Sequence, residues 1–180
     1  MYPLHPLKGW RAVSALPACA LPACALAVGA LALLMCAPLH AASARIAVVD
    51  IGFTDSSGEA RDQAAVHGER QRALTEALSR EVAAAGQLDT VHLACGEGCS
   101  LDAAGIEALR ERARKAGAGF VLVGKVHKMS TLVMSMRLAV LDTASGDLVL
   151  ERLLSFRGDN DAGWRHAGDY AAREVVSAVR

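Results

Sequence analysis

The sequence predicts a mixed α/β (α+β) fold. About five strands form one sheet in the order strand, helix, strand, helix, three strands, helix, with the helices packed on it. Three observations predict it. A nearly continuous apolar run, Arg45 to Phe53, opens the globular part; two helical-period stretches follow, separated by a short β-rich segment; the period then switches to strands for three successive runs before a last helix.

Arg-Ile-Ala-Val-Val-Asp-Ile-Gly-Phe, from Arg45, is apolar on both alternating sides, which suits a strand covered on both faces in the middle of a sheet. Thr54 to Gly58 reads as a turn. Ser56-x-x-Glu59 has capping-box spacing for a helix running to about Ala85 and closed by Gly86, with Leu74, Leu78 and Val82 as its buried stripe. The early part of that segment, with Asp62, His67, Gly68 and Arg70, has weak periodicity and suits a loop as well. Leu88 to Leu93 is a short strand. The next helix spans Asp102 to Ala116, with Ile106, Leu109, Ala113 and Ala116 along one face, a Glu111/Lys115 pair and Gly117 as stop. Phe120 to Lys128, Thr131 to Leu141 and Asp147 to Phe156 are β-rich, the last two joined as a hairpin through Thr143-Ala-Ser-Gly146. In the middle run Leu132, Met134, Met136, Leu138 and Val140 share a face opposite Ser135 and Arg137. Asn160 or Asp161 caps a final helix whose inward stripe is Trp164, Ala167, Ala171, Val175 and Val179. Helical crossovers imply parallel pairing for the first strands and an antiparallel meander for the last three.

The 180 residues carry 19 basic and 19 acidic groups, and only Lys8 and Arg11 precede Arg45. The remainder therefore has 17 basic against 19 acidic residues, an ordinary globular balance that argues against a nucleic-acid binder. The leader has the order of a secretory signal: basic start, apolar middle, small residues at Ala42-Ser43-Ala44. Pro17, Pro22 and Pro38 leave an uninterrupted apolar run of 15 residues, Ala23 to Ala37, short of the ~20 that span a bilayer. Residues 1–44 are thus expected to be a cleaved signal and 45–180 a single exported domain in the periplasm, not embedded in the membrane. An uncleaved amino-terminal anchor facing the periplasm is the alternative. Lipidation at Cys19, Cys24 or Cys36 is disfavoured, since acylation at the first two leaves a long apolar stretch and Cys36 follows bulky Met35.

Export changes the reading of Cys95-Gly-Glu-Gly-Cys99, because an oxidising compartment favours a disulfide and the two glycines permit the tight loop. The rivals are a redox-active pair and a metal site with His92 as third ligand, although closed zinc sites take four ligands and no further Cys or paired His is close in sequence. No nucleophile elbow, phosphate loop or His-Glu-x-x-His occurs. Lys125 and His127 alternate with Val126, so they leave their strand on one side and offer a partner-binding or anion-binding face, or simply a solvated strand end. His127 with Met129, Met134 and Met136 has the softness of a copper site, but Met134 and Met136 fall on the apolar face. In Arg157 to Arg165, Asp159, Asp161 and Gly163 fail as a calcium loop, since the sixth position is Trp164 and the twelfth Tyr170; helix capping explains them. Arg157 and Arg165 then either pair with Asp159 and Asp161 or receive an acidic partner. Asp50 and Asp55, around the carboxyl end of the first strand, are the candidate ligand-binding residues.

Gly117-Ala-Gly-Phe-Val-Leu-Val-Gly124, Val126 to Leu132, Leu141-Asp-x-x-x-Gly146 and Phe156 to Arg165 resemble a secreted bacterial family catalogued as domain of unknown function 2380. More distantly, the pattern is similar to the amino-terminal domain of TolB and to curli-secretion-type envelope lipoproteins. The resemblance implies a module that binds other envelope proteins. It supplies no catalytic residue and no cofactor. The expected function is therefore a non-catalytic interaction module whose partner surface carries Lys125, His127, Arg157 and Arg165. A periplasmic protein binding a small ligand or metal is the alternative, and an enzyme using Asp50 and His127 the third reading.

Overall fold

The computed structural model describes residues 44–85, 88–96 and 99–179. The leader and Gly86 lie outside the described residues. The element order is β1 (Ala44–Val49), β2 (Gly52–Asp55), α1 (Ala64–Ala84), β3 (Leu88–Leu93), α2 (Ala103–Lys115), β4 (Phe120–Lys128), β5 (Val133–Asp142), β6 (Leu148–Arg157) and α3 (Asp161–Ala178). The sheet runs β3-β1-β4-β5-β6, parallel for the first three strands and antiparallel for the last three, and β2 pairs with β4 beyond the end of β1. The mixed architecture is the expected one, with six strands instead of five.

The extra strand arises because the Arg45 to Phe53 run is interrupted. Val48 pairs with Leu122 but Gly52 with Lys125, so this side accommodates one extra residue. Such a bulge shifts the side-chain alternation by one: Ile46 and Val48 belong to the same buried cluster as Ile51, not as residue 50. The displaced backbone is rescued by α1. Ile51 N–H donates to Thr75 Oγ1 at 3.1 Å and Gln71 Nε2 donates to Ile51 O at 3.0 Å, as buried peptide groups require.

The same extension of the chain along β4 delays the first helix. Helix α1 begins at Ala64 with Gln63 as cap and no side-chain capping bond, so the capping-box expectation at Ser56 and Glu59 is overturned. Those residues act elsewhere: Ser56 Oγ lies 2.7 Å from His127 Nε2, and Glu59 accepts from Lys128 Nζ at 3.0 Å. His67, placed in a weakly periodic segment by sequence, is buried in the first turns of α1.

Helices α1 and α3 cover one sheet face, where Leu74, Leu78, Val82, Trp164, Ala171 and Val175 pack on Ile46, Val48, Leu122 and Met136. Each fully buried aliphatic side chain contributes roughly 1.5–3 kcal/mol. Helix α2 packs on the other face through Leu109 and Ala113 against Ala47, Val49, Val121 and Val123, with Val91, Leu93, Ala139 and Leu141 at the margin, and does not reach the far ends of β4, β5 and β6. Met134, Met136, Leu138 and Val140 face the core as expected, whereas Leu132 precedes β5 and is 70 % exposed. Gly146, with φ +82°, closes the β5–β6 turn.

Helices α2 and α3 start alike. Asp102 and Asn160 cap them by accepting the N–H of Gly105 and Gly163 at 2.8 and 3.0 Å. The incoming loop folds against these glycines, so a Cβ at Gly163 would lie 2.5 Å from Gly158 O and 2.8 Å from Arg157 O. Helix propensity alone makes Gly163→Ala stabilising by about 1 kcal/mol. The close approach reverses the sign, and we expect a loss of roughly 1–3 kcal/mol in urea unfolding; a more stable variant would show that the loop does not pack there.

Candidate functional site

Three features concentrate polar chemistry. The first is the sheet face that α2 leaves open. The β4–β5–β6 register sets Lys125 beside Arg137 and Arg137 beside Leu153, and in the next row His127 beside Ser135 and Ser155. Val126, between the two β4 residues, is fully buried on the other side, so Lys125 and His127 do share a face. Arg157 lies opposite Val133 in the following row. The exposed apolar groups around them are Met129, Leu132, Val133 and Leu153. Glu151, 3.8 Å from Arg137, is the acidic member of this face.

Arg165 does not join them. It projects from α3 in the opposite layer, lining a groove between α1 and α3 with Val66, Glu69 and Arg80. The predicted surface is thereby split, because the helix follows a loop that carries the chain from the sheet's outer edge to its other face. Arg157 and Arg165 do not pair with Asp159 and Asp161 either; Arg70 does, at 2.9 and 2.8 Å.

The second feature is a buried ionic hub. Lys128 Nζ, with no exposed side-chain surface, lies 2.9 Å from Asp159 Oδ2, 3.0 Å from Glu59 Oε2 and 3.7 Å from Asp55 Oδ2. The Asp159 carboxylate also accepts from His67 Nε2 at 2.8 Å, Arg70 Nη1 at 2.9 Å and Trp164 Nε1 at 3.2 Å. Four donors on one carboxylate match its acceptor capacity. Burial opposes the charged form of Asp159, but the bonds from His67, Lys128 and Trp164 outweigh it and bring its pKa down to about 2. Burial likewise opposes the Lys128 ammonium, and hydrogen bonds to Asp159 and Glu59 reverse this and raise its pKa above the ordinary lysine value. Asp55 belongs to this end of the molecule, its Oδ1 accepting the Ser57 N–H at 2.8 Å, and bonds from Ser57 hold its pKa low. Sequence reasoning missed the hub. One signal was present: Lys128 shares the parity of Leu122 and Val126, which places it on the core face of β4.

The third feature is a cleft of about 1080 Å³ at the carboxyl ends of β1 and β3. Asp50 lies there, apart from Asp55. Both its oxygens are occupied, Oδ1 by His92 Nε2 at 2.6 Å and Oδ2 by the Cys95 N–H at 2.8 Å. Partial burial works against its charge, yet the Cys95 N–H and His92 hold its pKa below the usual carboxylate value. Asp50 thus orients His92 and the Cys95 loop. Cys95 and Cys99 are joined by a disulfide, and among the described residues no group of three or more His, Cys, Asp or Glu converges as a metal site. Among the described residues no helix is long and apolar enough to cross a membrane.

No curated protein matches the chain. Among solved structures it is similar to a PelC dodecamer from Paraburkholderia phytofirmans, at 17 % identity over 77 % of this chain and 90 % of that one, TM-score 0.49. It is similar to TolB from Acinetobacter baumannii, at 14 % identity over 77 % of this chain and 28 % of that one, TM-score 0.48. Lipoprotein GNA1162 from Neisseria meningitidis is 15 % identical over 76 % of this chain and 97 % of that one, TM-score 0.43. Residues 44–176, the stretch that holds the Gly117 to Arg165 motifs as well as the hub and the cleft, match a family described as "Protein of unknown function (DUF2380)", and the chain belongs to it.

Proposed function

We propose that this chain is an exported, non-catalytic module of the cell envelope that docks an acidic and apolar surface of another protein on the open face of β4–β5–β6. The observation that carries this reading is the composition of that face: Lys125, His127, Arg137 and Arg157 stand in adjacent rows around Leu153, which is 64 % exposed, and Val133, which is 40 % exposed. Apolar anchors among mainly basic side chains, with Glu151 as the one acidic group beside Arg137, suit a partner that is itself acidic and apolar. Export rests on the basic, apolar and small-residue order of residues 1–44. A binding role is favoured over catalysis by how the strongest charges are used: Lys128, Asp159 and Glu59 neutralise one another inside the fold instead of facing a cleft.

The test places a photo-crosslinking residue at Ser155, in the centre of the face, or at Arg165, in the opposite layer, in cells producing the full chain. The Ser155 position is expected to yield a discrete protein adduct that drops roughly tenfold in R137E/R157E. No adduct at Ser155, an equal one at Arg165, or an adduct indifferent to charge reversal overturns the assignment.

A further inference from the structure

We propose that the cleft at the carboxyl ends of β1 and β3 binds a small organic oxyanion, a carboxylate or phosphate monoester on an apolar body, with Arg72 and Lys125 as its counter-ions. The site is separate from partner docking, although Lys125 borders both.

Topology opens the cleft. β1 and β3 are parallel neighbours, and the connection after β1 leaves over one sheet face through α1, while that after β3 leaves over the other through α2. A crevice forms where adjacent connections part in this way. The bulge at Asp50–Ile51 widens it by taking Ile51 out of the ladder and hanging it from Gln71 and Thr75. The resulting volume, about 1080 Å³, is ample for a small molecule.

The charges inside sort into pairs with a remainder. Asp50 is engaged by His92 and Cys95, and Glu76 lies 3.7 Å from Arg80. Arg72 and Lys125 line the same space, and neither has an acidic group within 4.0 Å among the described residues. Glycines stand beside both. A Cβ on Gly52 would lie 3.4 Å from Lys125 Cγ, and one on Gly68 would lie 3.8 Å from Arg72 Nη1, so each cation packs over a glycine of the cleft wall. Ile51 and Phe53 add apolar lining. A guanidinium fork takes a carboxylate or phosphate through two parallel bonds, an ammonium adds a point charge, and the apolar lining receives the body of the ligand.

The probes are phenyl phosphate, benzoate and uncharged benzyl alcohol, titrated into the purified protein while amide resonances are followed. Phenyl phosphate or benzoate is expected to shift Gly52, Gly68 and Lys125 saturably, and benzyl alcohol is not. Arg72→Ala and Lys125→Ala should each weaken the binding by roughly tenfold, while R137E/R157E leaves it intact and Arg72→Ala leaves the Ser155 adduct intact. Absence of saturable shifts, equal response to benzyl alcohol, or indifference to Arg72→Ala overturns the proposal, and the Arg72 side chain is exposed enough that its loss leaves the fold in place to be measured.

Discussion

Replacing Asp159 by Ala should cost the domain roughly 3–5 kcal/mol, a large share of the stability of any small fold. The carboxylate is the common acceptor of His67, Arg70, Lys128 and Trp164, and its removal leaves the buried Lys128 ammonium with Glu59 at 3.0 Å and the half-exposed Asp55 at 3.7 Å as its counter-charges. Urea unfolding followed by circular dichroism measures the loss, and Lys128→Met in the same background should recover part of it by removing the stranded charge. An Asp159→Ala protein within 1 kcal/mol of the parent would show that the hub is not a structural necessity. The parent itself carries a pH signature. With a folded pKa of about 2 against about 3.9 unfolded, Asp159 contributes about 2.5 kcal/mol that is fully present above pH ~5 and lost as pH falls from ~5 through 2. The variant should lose less stability than the parent across that window.

Trp164→Ala should be comparably severe, at roughly 3–5 kcal/mol. The ring is 3 % exposed, its centroid 5.8 Å from that of Phe53 and 6.3 Å from those of His67 and Phe156. Its Nε1–H reaches Asp159, so one side chain ties the apolar layer to the ionic hub. Trp164→Phe keeps most of the apolar contact and leaves Asp159 three donors, and should cost only about 1–2 kcal/mol. If the Phe variant matched the Ala variant, the indole N–H would dominate and the packing account would fail. Because Asp159 and Trp164 touch, the double variant should lose less than the two single losses added together.

Periodicity found β4 to the residue, placed the ends of β3 correctly and came within two residues for α2, β5, β6 and α3, because alternation and capping are local properties that those segments show undisturbed. The Arg45 to Phe53 run was harder, since a one-residue bulge leaves no mark on an apolar stretch; only the later partners, Leu122 and Lys125, reveal the slip. Ser56 and Glu59 deceived for a similar reason. Their spacing suits a capping box, but tertiary partners on β4 claim both side chains. At the site level, alternation correctly put Lys125 and His127 on one face, whereas the separation of Arg165 from Arg157 depends on which layer α3 occupies. The hub was the least visible, because it joins residues 92 and 69 positions apart.

Those separations also set an order of events during folding. Lys128 enters the core on β4, but its closest counter-charge, Asp159, lies beyond the whole β5–β6 hairpin. A chain that ends before residue 159 must therefore either hold Lys128 in water, fraying the end of β4, or bury an ammonium without its closest carboxylate, with only Glu59 and the half-exposed Asp55 against it. Closure of the domain is therefore expected to wait for its last helix, with incomplete chains staying open rather than settling into a shortened native form.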